Sequence, residues 1–496
     1  MATVGDTGDY INGLAFKESD WGNDGMPIIR IQNLTDSRKP FNRTLRAVDS
    51  NFVVNRGDIL VSWSATLDAF LWDREASVLN QHIFKVIPNE QFVDKRFLFY
   101  LLRETIFEMK QSAHLHGSTM KHINRGPFLG FPAVIPPLNE QHRIVAEIET
   151  QLTRLDAAVT SLERTRANLK CYRAAVLKAA CEGRLVPTEA ELARAEGREY
   201  EDGSDYVRSL TNSRENLWHQ GIEGHDGIKR PNSRQYPAIE VQEVPILLAL
   251  PEGWDSTVVD RISIVVRGAS PRPAGDPKFF GGAIPWITVG SLTADSQMHL
   301  TGVKEYVTEE GRKASRYIEA GTFLLTNSGA TLGVPKITMI GGCINDGSVA
   351  LTHLNDSIKP YLYYYLTTQT DRLRRINQGA AQPNLNTSIV KRIVVPVPPK
   401  FEQERIVAEV ERRFSVLDEM EQTVSYGLRR AARLRQAILH QAFTGQLVPQ
   451  DPDDEPASVL LDRIRAERTA TSSGKPTRTL RKQAAGQLAM METVNQ

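Results

Sequence analysis

Two stretches decide how this chain is built: PPLNEQHRIVAEIETQLTRLD, beginning at Pro136, and PPKFEQERIVAEVERRFSVLD, beginning at Pro398. They lie 262 residues apart (398 − 136), and the match runs on without a gap to GRLVP at residues 183–187 and GQLVP at residues 445–449. Of these 52 aligned positions 20 are identical. That is too many for unrelated segments, and a repeat on this scale sets the architecture before any local reading. At the same offset Gly117 meets Gly379 and Asn124 meets Asn386. Weaker echoes lie upstream. GDILVSWSATL (57–67) resembles GTFLLTNSGATL (321–332), FLFYLL (97–102) sits opposite YLYYYL (361–366), and IRIQNL (29–34) sits opposite ITVGSL (287–292). Downstream, SDYVRSLTNSR (204–214) answers SVLLDRIRAER (458–468). The order is globule, helix, globule, helix.

In each copy the proline pair stops an apolar strand, and Glu140 or Glu402 suits the first turn of a helix. Apolar residues then recur every three or four positions: Val145, Ile148, Leu152, Leu155, Val159, Leu162, Leu169 and Val176 in the first copy. The second copy gives Val407, Val410, Phe414, Leu417, Val424, Leu428, Ala431 and Ile438. This is a heptad seam, interrupted by Arg166 and Arg173 in one copy and by Glu421 and Arg435 in the other. Gly183 and Gly445 stand where a helix should end. About 45 residues at roughly 1.5 Å each makes a rod of about 65 Å. A rod with one apolar stripe needs a partner, and the other copy, lying antiparallel, is the nearest at hand. Identities off the seam (Glu140, Gln141, Arg143 and Glu147, with Glu402, Gln403, Arg405 and Glu409) predict an outer face that docks the same partner twice.

The globules read as α/β (α+β): short β-like runs, one helix at residues 97–109 or 361–376, a Gly/Asn loop and a last strand. The chain divides into a first globule at residues 1–135, a helical region at 136–187, and a polar connector with a short helix at 188–249. A second globule at 250–397, a second helical region at 398–449, and a C-terminal helix with a flexible tail at 450–496 complete it. The second globule opens with LPEGW (250–254), whereas the first has no counterpart of Pro251–Trp254. It is expected to lack one edge element or to begin upstream.

Chemical signatures are few. There is no GxxxxGK[ST] loop, no [DN]PP[YF] tetrapeptide, no GxSxG elbow, and no CxxC or HExxH pattern, so neither a catalytic residue nor a metal ligand is assigned. His114, His116 and His122 read as a polar loop, and the glycines of residues 268–282 lack the GxGxxG order of a dinucleotide site. Cys171 and Cys181 read as packing thiols, and three isolated cysteines suit a reducing cytoplasm. No apolar run approaches the ~20 residues that span a bilayer. The 496 residues carry 60 Lys+Arg against 59 Asp+Glu, a net charge of +1. A near-neutral chain is poorly equipped to grip a polyanion unaided.

Two diverged heads on a rigid spacer suit recognition of two half-sites, whose spacing on a duplex is set by a turn of about 34–36 Å or a small multiple. The PP-x-x-EQ-x-RIVAE opening, the long helix ending in G-x-LVP, the PAS-x-LL-x-RI-x-AER tail and the LPEGW entry resemble the specificity subunit of type I restriction–modification enzymes. The resemblance covers nearly the whole chain. It implies two target-recognition domains, each reading one half of a split, asymmetric double-stranded DNA sequence, and an antiparallel coiled coil that docks two modification (methyltransferase) subunits. It implies further that this chain is non-catalytic and binds no cofactor. S-adenosylmethionine would belong to adenine-methylating partners, and ATP and Mg to restriction/translocase subunits. A self-contained nucleic-acid enzyme and a cytoplasmic coiled-coil scaffold that binds proteins through its heads are the alternatives.

DNA contacts are expected at strand ends and loops of the heads, from donors and acceptors suited to base edges and phosphates. In the first head these are Arg30, Gln32, Asn33, Ser62, Ser64, Thr66, Lys121, His122 and Asn124. In the second they are Thr288, Ser291, Asn327, Ser328, Thr331, Gln382, Asn384 and Asn386. Arg267, Arg272, Lys278, Arg372, Arg374 and Arg375 are expected at phosphates. Trp63, Trp72 and the tyrosines of residues 361–365 are assigned mainly to core packing.

Overall fold

A computed structural model describes residues 2–115, 122, 124–222, 250–376 and 385–473. The chain forms two compact units. One is assembled from Met1–Glu163 and Ser425–Gln496, and the other is the continuous stretch Arg164–Val424. The boundaries fall inside both long helices, so each unit holds a head together with half of each helix, and the six-part serial division of the sequence does not describe the compact bodies.

In the first unit an antiparallel sheet runs Gly8–Asn12, Ile83–Pro88, Ile59–Ser62, Asp68–Leu71. A second sheet runs Asn42–Thr44, Met26–Ile29, Ser77–Leu79, Val53–Val54, with Met26–Ile29 and Ser77–Leu79 parallel. The strand Ile59–Ser62 is buried along its whole length because both of its faces are covered. Ile59 and Val61 join the core under the helix Lys95–Leu115, while Leu60 joins Ile29, Val54 and Leu79 of the second sheet. Burying each such side chain stabilises the unit by about 1.5–3 kcal/mol.

The second unit repeats this plan with Phe323–Thr326 in the central place. Its sheets run Ile264–Arg267, Ser348–Thr352, Phe323–Thr326, Pro335–Thr338, His299–Leu300, and Glu305–Val307, Phe280–Ile287, Gly342–Ile344, Arg316–Ile318. Phe323 and Leu325 face the helix Lys359–Ile376, and Leu324 faces Ile287 and Ile344. The edge element that the sequence appeared to lack in the first head is present in reduced form. Ala2–Thr3 pairs antiparallel with Pro132–Ala133, as Asp255–Val258 pairs with Val394–Val397.

Each long helix is 44 residues, Leu138–Cys181 and Lys400–Phe443. In the first unit Ile144, Ile148 and Leu152 share a core with Ile438, Leu439 and Ala442. In the second, Val176, Leu177 and Ala180 share one with Ile406 and Val410. All sixteen seam residues are buried or half-buried. Two repeated identities fix the antiparallel pairing. Arg435 pairs with Asp156 in the first unit, and Arg173 pairs with Asp418 in the second, with its guanidinium 4.3 Å from the Phe414 ring. Arg173 and Arg435, read as interruptions of the seam, are therefore cross-helix partners. As exposed pairs they contribute only about 0–1 kcal/mol each, so their use is to select register more than to add stability.

A shorter helix closes each unit: Ala457–Ser473 contributes Leu460 and Ile464 to the first core, and Gly203–His219 contributes Tyr206 and Leu210 to the second. The connector also holds the helix Glu189–Glu196, started by a Thr188 capping box and stopped at Gly197 with φ 65°. The expected flexible tail beyond residue 473 lies outside the described residues. Among those residues no helix is long and apolar enough to cross a membrane.

Candidate nucleic-acid interface

In each head the loops proposed from sequence meet where the two sheets touch. The first head holds them together through main-chain bonds from Gly13 N to Ile83 O (3.1 Å), Asn80 N to Ile29 O (3.3 Å) and Trp63 N to His82 O (3.3 Å). The second makes the same three, from Gly268 N to Ser348 O (2.9 Å), Asn345 N to Ile287 O (3.1 Å) and Asn327 N to Gly347 O (2.9 Å). A β-carbon on Gly13 or Gly268 would collide with the carbonyl of Asn80 or Asn345, so glycine is required where the backbones cross. Leu385 N then donates to Asn327 O, bringing the last loop of the second head to the same edge.

The side chains divide into those that hold the loops and those that face solvent. Asn33 is 1% exposed; its Oδ1 accepts from Arg30 N and its Nδ2 donates to the carbonyls of Lys39 and Pro40. Ser62 is wholly buried and donates to Ser64 O. Asn327 is also buried, with its Nδ2 on Asp346 O at 3.3 Å. These three cannot present an edge to a base as placed, which corrects their assignment. Polar side chains at the neck of a loop are consumed by its own backbone. Thr288 and Asn386 cap the short helices Val289–Leu292 and Thr387–Lys391, accepting from Ser291 N and Ile389 N. Arg374 Nε donates to Leu332 O, and Arg375 Nε to Asp371 O, so both are partly held within the fold.

Gln32, Thr66, His122 and Asn124 remain exposed in the first head, with Arg30 half-buried 5.1 Å from the Trp21 ring and Ser64 bridged to His122. Arg267, Arg272 and Lys278 are exposed in the second, while Ser291, Ser328, Thr331 and Arg372 are half-buried. Lys121, Gln382 and Asn384 lie outside the described residues, as does His116. Sequence reasoning missed the turns Asn80–Gln81–His82 and Asn345–Asp346–Gly347. The signal was available, since the offset of 265 between Leu67 and Leu332 continues through Leu79 and Ile344 to Asn80 and Asn345. Trp63 is not purely a core residue. Its Nε1 donates to Asn12 Oδ1 at 3.1 Å and its ring lies 5.1 Å from that of His82. Trp72 and Tyr361, Tyr363, Tyr364 and Tyr365 are buried, as expected.

The repeated residues expected to dock a partner have an internal use. Gln141 is buried, accepts from Asp94 N and donates to the carbonyls of Phe92 and Pro136. Gln403 donates to Pro398 O in the same way. Glu402 is fully buried, accepting from Trp254 Nε1 and Glu189 N, and burial pushes its carboxyl above the usual range. Glu140 is buried and shifted in the same sense for the same reason. Arg143 pairs with Asp454 at 2.6 Å and Arg405 with Glu189 at 2.5 Å. Glu147 accepts from Gln151, and Glu409 is held at about 2 by Arg412 and Arg413 beside it. Gln141 and Glu402 tie the starts of the long helices to their heads, Arg143 and Arg405 reach Asp454 and Glu189 in the flanking segments, and Glu147 and Glu409 bond along their own helices.

Burial pushes the Cys181 thiol up to about 12 and that of Cys343 to about 11, values that suit packing and not nucleophilic attack. Glu104, Glu108 and His440 bring one ligand atom each within 4.8 Å of the others, but the Glu104 carboxylate already accepts from Gln436 and sits 3.3 Å from His440 Nδ1.

Two recognition-loop clusters on two copies of one sheet pair coincide with the outcome of comparison with known proteins. The model of the type I restriction modification DNA specificity domain matches residues 1–169 and again 251–424. The chain belongs to this family. The specificity-domain chain is 26% identical over 491 residues to the type I restriction enzyme EcoBI specificity subunit of Escherichia coli, covering 94% of this chain and 92% of that one. It is 23% identical over 515 residues to the EcoKI specificity subunit of E. coli strain K12, covering 96% and 97%. Its fold is that of a solved chain from work on complex assembly and conformational transition of a type I R-M system, at TM-score 0.59 and 18% identity over 90% of this chain and 97% of that one. The specificity-domain family thus accounts for the doubled head, and DNA sequence recognition is its function.

Proposed function

We propose that each head reads one half of a split, asymmetric DNA target, and that the chain performs no chemistry of its own. The observation that carries this is the duplicated loop cluster, built on the same backbone bonds in both heads but lined with different side chains. Equivalent scaffolds with different tips suit two different half-sites. On this reading two modification subunits dock along the long helices, where exposed Tyr172, Val416 and Met420 in one unit and Tyr426 and Leu434 in the other offer apolar contact. S-adenosylmethionine would be held by those methylating partners, with ATP and Mg used by restriction/translocase subunits, all within the cytoplasm. The near-neutral charge fits a chain that binds DNA tightly only when partners supply the phosphate contacts.

The test co-expresses the chain with its modification subunits and reads the methylated sequences across a genome. A two-part target is expected. Exchanging residues 1–130 for another first head should change one half and leave the other. Equal modification of all sequences, or a change in both halves, would sink the reading.

A further inference from the structure

We propose that Arg272 is the guanine-reading side chain of the second head and that Asp346 positions it, an assignment that rests on the DNA-recognition reading. Arg272 is 72% exposed at the loop edge, with one guanidinium nitrogen, Nη2, 3.4 Å from Asp346 Oδ2. Asp346 is itself held from several directions. Ser270 Oγ donates to its Oδ1 at 2.5 Å and accepts from its main-chain N at 3.2 Å. Arg267 Nε and Asn327 Nδ2 both donate to its carbonyl, at 3.2 and 3.3 Å.

A phosphate contact does not call for this arrangement. Phosphates attract cations as charges, and a carboxylate beside the guanidinium cancels the attraction while repelling the backbone on its own account. A base contact does call for it. Reading guanine O6 and N7 together needs the planar fork held in one orientation, and a clamped carboxylate supplies that without occupying the remaining donors. Lysine could not replace the fork, and a freely rotating aspartate could not aim it. By the same backbone bonds the first head places Gln81 where the second has Asp346, so the device belongs to one half-site only.

The experiment is the methylated-sequence readout applied to Arg272→Ala, Arg272→Lys and Asp346→Asn in the full complex, with thermal midpoints to confirm folding. Arg272→Ala should lower the preference for guanine at one position of the second half-site by about 10- to 100-fold and leave the first half-site unchanged. Asp346→Asn should relax the same position by less, and Arg272→Lys should retain part of the preference. A uniform loss over all sequences, with a salt dependence shallower by about one ion, would mark a phosphate contact and overturn the assignment. Unchanged base preference in Arg272→Ala would overturn it equally. If the unaltered complex has no split target, the broader reading and this assignment fall together, a result distinct from either.

Discussion

Gln141 and Gln403 illustrate what a repeated identity can and cannot reveal. Their recurrence after each proline pair is visible in the sequence, yet recurrence does not tell a buried anchor from an exposed contact. Both side chains turn inward at the first turn of a long helix and bond the carbonyl of the preceding proline. Replacing Gln141 with alanine would strand the half-buried amide of Asp94 and the buried carbonyl of Phe92. A loss of about 2–3 kcal/mol is expected, seen as a thermal midpoint several degrees lower. The same ambiguity explains the base-contact residues that proved to be buried. Asn33, Ser62 and Asn327 are of types that both read bases and tie loops, and composition cannot choose between those uses. Gln32, Arg267 and Arg272 stay exposed as their loop positions suggested, but the bonds of Arg267 and Arg272 to Asp346 could not be read from their residue type.

The long helices were the most legible elements, because an apolar residue every three or four positions over 44 residues admits few other readings. What the pattern could not give was the meaning of its breaks, since an arginine in a seam looks like a fault until its aspartate is seen across the helix pair. The head helix Lys95–Leu115 adds a titratable contact of this kind. Burial, the largest influence, pushes the Glu104 carboxyl above its ordinary range, while bonding to His440 and Gln436 works against the rise. The folded state therefore binds this proton more tightly than the unfolded chain does. Between the ordinary glutamate range near pH 4.5 and the raised value, stability falls as pH rises. Glu104→Gln should flatten that slope in thermal midpoints measured across about pH 4 to 7. Glu140 and Glu402, raised for the same reason, should leave a residual slope.

At the scale of the whole chain the doubling could be read directly, but the composition of the compact units could not. Sequence order suggests head, helix, head, helix as separate bodies. The cores instead draw on opposite halves of the two long helices, because an antiparallel partner for the start of one helix is the end of the other. On the proposed reading, deleting residues 157–160 removes about one turn, roughly 6 Å, from the first long helix. The spacing between half-sites should change while both half-sites survive; altered half-sites in the methylated-sequence readout would show that the helices do not act as the spacer. The discontinuous unit also bears on how the protein is made. Arg164–Val424 is complete once its own residues have left the ribosome, whereas the unit begun by Met1–Glu163 must wait for Ile438, Leu439, Leu460 and Ile464. The usual order of synthesis, in which the N-terminal body matures first, is reversed. Until Ile438, Leu439, Leu460 and Ile464 have emerged, the nascent first head carries an uncovered apolar strip along Ile144, Ile148 and Leu152, which leaves it open to misassembly in that interval.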